Sequence, residues 1–500
     1  MGQLRSATLK SPGGYGLNLA DDIANDQSYR FLGAATNGVV DVDGKLCARQ
    51  NFVNQTTGLT ATVAQVYMHR HLDGTETVIS AGSTGKIYTG LATVTERYDD
   101  AGSANNWQFA SLNGKLFCAQ TGCTFYAMTE GSTWASASVT EPTAAWGSTK
   151  GPDCCIAAYG RLWAAGATDS KHTVWWSKLL DGVAWTTGDA GSLDVDNAWP
   201  VGRDSITALC AAFGRLIIFG RNAILMYTLP EDNNPADMTL TDVVNGIGCV
   251  ARDSVIAAAD GVYFLSDNGV YKIDRLAQVT SLMSSLPQSA LANEEMLTTI
   301  AGETLAQVRA GYYPLQGWYV LACPTANKTY VFHTRQLIPQ VNLPPVTVWT
   351  NTGNAYRGFT ITKEGYWYCA ATDGIYKYGG YTAVSGNNAY SFAPYVQWLD
   401  LGEVSRLKHL KYCILTLEAK SGQTGTVNWQ MDYKAGTTRT ASFTCNAVEF
   451  AENPGLGDVK VPLGGSCNAV KLGFSITVTQ AVKLHAITLG SLVGKTAARP

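Results

Sequence analysis

A short pattern recurs along this chain: a glycine, an apolar run, a polar turn and a second apolar run. Its clearest copies lie between Ala211 and Leu276. Residues 214–219 face 223–227 across Gly220, Arg221 and Asn222, and residues 261–265 face 269–273 across Ser266, Asp267 and Asn268. Asn and Gly tolerate the positive φ that tight turns demand, so both stretches read as β-hairpins. A lone hairpin cannot bury its apolar face, but a row of them can. Further copies begin at Gly85, Gly114, Gly160, Gly317 and Gly365. From Gly114 onward the leading glycines are 46, 54, 47, 56 and 48 residues apart. A strand-only repeat of roughly 40–50 residues is the period of a propeller blade. The first interval is 29, so the two opening copies are expected to share one blade.

The chain is therefore expected to be all-β: a six- or seven-bladed β-propeller with an N-terminal arm and a C-terminal β-sandwich. The expected divisions are residues 1–65 as arm and platform, 66–385 as propeller, and 386–500 as a sandwich packing with the arm. The sandwich is read from alternating strands at 396–401, 408–417, 426–433, 469–476 and 481–492. Asp21 to Phe31 suits a short helix, and 274–307 has helical spacing at Leu282, Leu286, Leu291 and Met296, broken by Pro287. Residues 495–500 read as a loose tail.

Only 15% of the residues are charged while 46% are hydrophobic, against a norm of about 25% charged. Such a chain either has an unusually large core or hides surface in an assembly, and assembly is the expectation. A net charge of −3 argues against a dedicated nucleic-acid clamp. No signal peptide or long apolar run is visible. Twelve cysteines without a C-x-x-C fit a reducing compartment, and Cys210, Cys323, Cys369 and Cys413 fall within apolar strand patterns as small hydrophobes.

Propellers host glycosidases, whose Asp-box turn reads Ser-x-Asp-x-Gly-x-x-Trp. The turns ending in Trp134 and Trp185 approach it, but Thr129 and Leu180 stand where the Asp belongs. Both read as turns with a packing Trp, and no catalytic residue is assigned. His69 and His71 read as a strand-face pair, since no nearby Cys or carboxylate cluster completes a metal site. No metal or cofactor is expected. Arg406, Lys408, His409 and Lys411 form the densest basic run, read as a solvated strand edge with two side chains on each face.

The succession Pro12-Gly13-Gly14, an acidic segment from Asp21, and Gly44-x-Leu46-x-x-Arg49 resembles the opening of tail nozzle or hub proteins of short-tailed bacteriophages. Residues 174–185, the run Gly188 to Val195 ending in Gly-Ser-Leu-Asp-Val, and the blade core 260–271 are similar to the same family. Gln50-Asn51 departs from it, because the family tends to carry a Gly at the second position. The resemblance implies a structural virion protein, made in the host cytoplasm and located in the tail. It implies a homo-oligomeric ring of six below an adaptor and portal ring, with tail fibres or spikes as further neighbours. The ring would retain the packaged genome and pass double-stranded DNA without specific binding during ejection, with no membrane span. The arm is then expected to be mobile in isolated subunits and ordered in the ring. Two rival readings stay open: a glycan-binding or glycan-cleaving receptor-binding propeller, marked by a pocket of clustered aromatics and carboxylates, and a monomeric cellular propeller scaffold.

Overall fold

A computed structural model describes the chain from residue 3 to 493, apart from 20–27, 57–61, 83, 101–105, 143–145, 147–150, 201, 275–286, 340, 352–353, 382–389, 402–405, 435, 451 and 453. Seven antiparallel sheets follow one another over residues 63–99, 108–129, 154–194, 208–245, 256–274, 309–349 and 358–378. The innermost strand of each touches that of the next, and the innermost strand of the seventh, Gly358–Ile361, returns to that of the first, Val63–Arg70. The ring is a closed β-propeller, as the repeat predicts.

The hairpins form where the sequence places them, each one residue away from the expected register, with turns at 220–223 and 267–268. Phe219 pairs with Ile224 across the first central turn, and Ser266 pairs with Gly269 across the second. The inner hairpins of the second, third and fourth blades turn through Asn113-Gly114, Tyr159-Gly160 and Phe213-Gly214, each with positive φ at both residues. That geometry matches strand twist, which is why a glycine leads each following strand. The expectation that the opening copies share a blade is corrected. Gly85 leads into the third strand of the first blade, Lys86–Thr89, whereas Gly74 precedes the second strand, Glu76–Gly82. Gly74 is the true counterpart of Gly114, and with it the spacing becomes regular.

Middle strands such as Arg161–Ala167, Gly261–Ser266 and Trp318–Cys323 are buried along their whole length. Each blade is packed between two others, so its middle strands face protein on both sides and read as continuous apolar runs. This core accounts for much of the hydrophobic composition without invoking assembly. Cys210, Cys323 and Cys369 are buried in it, and Cys413 is buried on the strand Lys408–Ala419.

The sixth blade also buries a histidine. His333 lies 2% exposed, edge-on to Trp318 with ring centroids 5.7 Å apart and with Nε2 3.2 Å from the Thr347 hydroxyl. Burial pushes its pKa down to about 3, while an unfolded histidine titrates near about 6.5. The unfolded chain therefore takes up a proton that the fold refuses. The stabilisation is full above about pH 6.5 and is lost as pH falls toward 3. Between pH 7 and 4, His333→Gln should show a shallower fall in urea midpoint than the parent, and equal slopes would contradict this assignment.

One part of the N-terminal region departs from its expected separation from the propeller. Phe52–Asn54 pairs with Tyr376–Tyr378 and forms the outer strand of the seventh blade, so residues within 1–65 clasp the ring shut. Gln3–Lys10 pairs along its whole length with the last strand, from Gln3 opposite Val493 to Lys10 opposite Ala486. The arm's first strand is thus paired within a single chain. The arm's turn Pro12-Gly13-Gly14 is buried, and its helix prediction falls mostly outside the described residues; within them, Ser28–Arg30 forms a 3-10 turn.

The C-terminal strands form two sheets over one core. Lys408–Ala419 lies between Lys483–Val493 and Gly455–Pro462, and the other sheet joins Leu32–Thr36, Ser391–Val396, Val470–Thr477, Thr424–Met431 and Arg439–Thr444. A parallel bridge from Thr36 to Val348 carries this second sheet into the sixth blade. The sandwich is therefore built by both chain ends. Arg49 is 1% exposed at this junction, donating to Asn37 Oδ1 at 3.0 Å and to the Gln50 carbonyl at 2.8 Å and lying 4.1 Å over the Tyr390 ring. Between the fifth and sixth blades the helix Asn293–Ala301 follows Pro287 and buries Met296 and Ile300. Leu282 and Leu286 lie outside the described residues, as do Gly386 to Asn388 and the tail 495–500.

Candidate functional site

The innermost strands of all seven blades surround a cavity of about 310 Å³ on the propeller axis. Arg252 and Arg309 lie against it, each under a tenth exposed. Arg252 donates through Nη1 to the Asp153 carbonyl at 2.7 Å and to Asp153 Oδ1 at 2.8 Å. Through Nη2 it reaches the Asn106 carbonyl at 2.8 Å, Asn106 Oδ1 at 2.9 Å and Asp253 Oδ2 at 2.9 Å, and through Nε it reaches Asp253 Oδ1 at 3.0 Å. Arg309 donates to Gln65 and to Asn106 Oδ1, and its Nε stands 3.4 Å from Asp253 Oδ2.

Burial opposes charge throughout this cluster, and pairing decides the outcome. Burial alone would raise Asp153, yet the Arg252 charge holds its carboxyl below the usual range. Arg252 is raised despite burial, by Asp253 and Asp153. Arg309 falls to about 10 because burial, together with Arg252 and Arg357, outweighs Asp253. The carboxylates are engaged by guanidinium groups, so the chemistry this arrangement supplies is electrostatic closure of the axis. Sequence reasoning missed these residues. The available signal was the adjacent Arg252-Asp253 pair in a charge-poor chain; nothing in the sequence tied it to Asn106 or Asp153.

His69 and His71 are brought together, with a third group. The strand Val63–Arg70 ends at a hairpin tip where His71 N donates to the Thr75 carbonyl at 2.9 Å. From the second blade comes Glu130, just past Tyr126–Thr129. Its Oε2 lies 2.9 Å from His69 Nε2 and 3.4 Å from His71 Nδ1, and its Oε1 accepts from Leu72 N at 3.1 Å. The expectation that no carboxylate completes the pair is thereby corrected. Burial lowers the His69 pKa, outweighing the Glu130 hydrogen bond. Glu130 is itself lowered, because hydrogen bonds from His69 and Leu72 and the nearby imidazoles outweigh burial.

Trp134 packs edge-on against both imidazoles, with centroids 5.0 and 5.6 Å away. Trp185 packs against Trp146 at 4.8 Å and Phe125 at 5.6 Å. Both are buried, as their turn reading predicts.

The basic run is divided by its strand. Lys408 is 1% exposed and donates to the Asn468 carbonyl at 3.0 Å, whereas His409 and Lys411 face solvent. The strand is central in its sheet, which corrects the expected edge position. Burial of Lys408 leaves no continuous basic face on it.

Among the described residues no helix is long and apolar enough to cross a membrane. No family model and no curated protein matches the chain. Among solved structures it is similar to the WD40 domain of Neurospora crassa Pan2, at 8% identity and TM-score 0.41 over 66% of this chain and 96% of that one. It is also similar to a streptogramin B lyase, at 11% identity and TM-score 0.40 over 67% and 97%. A third similar structure is YCF48 from Cyanidioschyzon merolae, at 12% identity and TM-score 0.42 over 66% and 99%.

Proposed function

We propose that the chain is a non-catalytic structural subunit of a tail nozzle in a short-tailed bacteriophage, assembling as a ring of six. The reading begins from the sequence resemblance. The observation that carries it further is the two-sheet platform made by both chain ends and fused to the sixth blade. Large apolar side chains remain exposed there, among them Leu4, Leu407, Val448 and Leu456, the last 59% exposed. Apolar side chains on a rigid two-sheet unit suit contact with neighbouring subunits and an adaptor ring. The propeller axis, obstructed by Arg252 and Arg309, is no route for a duplex whose major groove alone is about 12 Å wide. DNA would therefore pass through the lumen between subunits. A near-neutral chain suits that role, since a lysine-rich lumen would hold phosphates.

Negative-stain images and mass photometry of the purified chain should show closed sixfold rings. Leu456→Asp should yield folded monomers, because exposed substitutions change the stability of the fold itself by only about 0.5 kcal/mol. A parent that stays monomeric and never joins virions rules the assembly out. Turnover of a sialoside or capsule polysaccharide, lost on mutating loop carboxylates, would favour the glycan-cleaving reading instead.

A further inference from the structure

We propose that His69, His71 and Glu130 form a binding site for a divalent transition metal of the zinc class, which ties the first blade to the second. The proposal is independent of the nozzle reading. The three side chains offer donor atoms that all lie within 4.8 Å of one another. Two imidazole nitrogens converge on one carboxylate oxygen, at 2.9 and 3.4 Å. Zinc bonds of about 2.0–2.1 Å in a tetrahedron place ligand atoms roughly 3.3 Å apart, so small side-chain shifts admit the ion. Two histidines and a glutamate leave a fourth position for solvent. His71 and Glu130 are each about one-sixth exposed, and the site opens on that side.

The far side of each ring is also prepared. His69 Nδ1 lies 2.8 Å from the Ser111 hydroxyl, and His71 Nε2 lies 2.7 Å from the Thr77 hydroxyl. A hydroxyl both donates and accepts. With the site empty, His69 carries its proton on Nε2, donates to Glu130, and accepts from Ser111 at Nδ1. With metal bound, the proton sits on Nδ1 and is donated to Ser111, and the Nε2 lone pair turns to the ion. Ser111 serves either tautomer by rotating, and Tyr67 also donates to its oxygen at 3.0 Å. Such outer partners orient ligating histidines and raise their basicity. Leu72 N fixes the other carboxylate oxygen, and Trp134, held at φ 50, walls both rings. The arrangement is thus positioned from both blades before any ion arrives.

The test is calorimetric titration of the full-length, chelator-stripped protein with zinc chloride, with cobalt(II) absorption reporting coordination. One ion per chain is expected, with a rise in melting temperature at saturation. Glu130→Gln and His71→Asn should each abolish uptake, and Ser111→Ala should weaken it by about 10–100-fold. His71 sits at a solvent-facing hairpin tip, so His71→Asn decides the matter if Glu130→Gln does not fold. Absence of stoichiometric zinc and cobalt uptake overturns the proposal. So does uptake that persists undiminished in His71→Asn, which would place the ion elsewhere.

Discussion

Arg252→Met is expected to destabilise the protein by about 3–5 kcal/mol at pH 7, the usual cost of removing one partner from a buried ion pair. The side chain ties together stretches distant in sequence: Asn106 before the second blade, Asp153 before the third, and Asp253 before the fifth. Methionine can fill the volume but donates no hydrogen bond, so Asp153, Asp253 and the Asn106 carbonyl lose the Arg252 hydrogen bonds together. Asp153, whose pKa is held down against burial mainly by Arg252, then keeps only the Thr121 hydrogen bonds and the Lys171 charge, and its pKa rises. In the parent, Asp153 is depressed, so its contribution is present above the unfolded value of about 3.9 and is lost as pH falls through the folded one. The gap between variant and parent should therefore narrow as pH falls from about 7 toward 4, where the variant's carboxyl, its pKa raised, takes up a proton while the parent's stays ionised. Urea denaturation at pH 7 and pH 4 measures both effects. A variant within about 1 kcal/mol of the parent at pH 7 would mean that Arg252 does not secure the axis, since removing one partner of a buried ion pair costs more than that.

Gly269→Val should cost about 2–6 kcal/mol, from two causes that add. Gly269 holds φ at +128, where a β-branched residue is strained by about 1–3 kcal/mol. A Cβ built there would also lie 2.6 Å from Ser289 Oγ, 2.7 Å from Asn293 Oδ1 and 3.0 Å from Pro287 Cβ, an overpacking cost of about 1–3 kcal/mol. These neighbours form a small joint. Ser289 Oγ accepts from Val270 N at 2.9 Å and donates to Asn293 Oδ1 at 2.6 Å, while Asn293 Nδ2 donates to the Asn268 carbonyl at 3.0 Å. The substitution should loosen the helix Asn293–Ala301 first, seen as faster amide exchange there than in the fourth blade. If the variant melts like the parent, the turn at 267–268 has been misplaced.

Local features of this fold were legible in the chain because local chemistry enforces them. The turn residues around Gly220–Asn222 and Asp267–Asn268 dictate which strands meet, since a turn constrains neighbours only a few residues away, while the register came out one residue from the expected one in both hairpins. The recurrence of glycine-led strands specified a propeller for the same reason. The exception, Gly85, misled because a glycine marks a turn without saying which turn of the blade it is. Tertiary structure alone decided the rest. Phe52–Asn54 closes the seventh blade against Tyr376–Tyr378, and Gln3–Lys10 becomes an outer strand against Lys483–Val493. Both pairings span most of the chain, and a strand's own residues do not name a distant partner. Charged sites behave likewise. His69 and His71 were visible as a pair, but Glu130 joins them only because adjacent blades bring two hairpin tips together. Arg252 in sequence is an ordinary surface-type residue, and what makes it central is burial, which removes water and leaves Asp153, Asp253 and Asn106 as its partners.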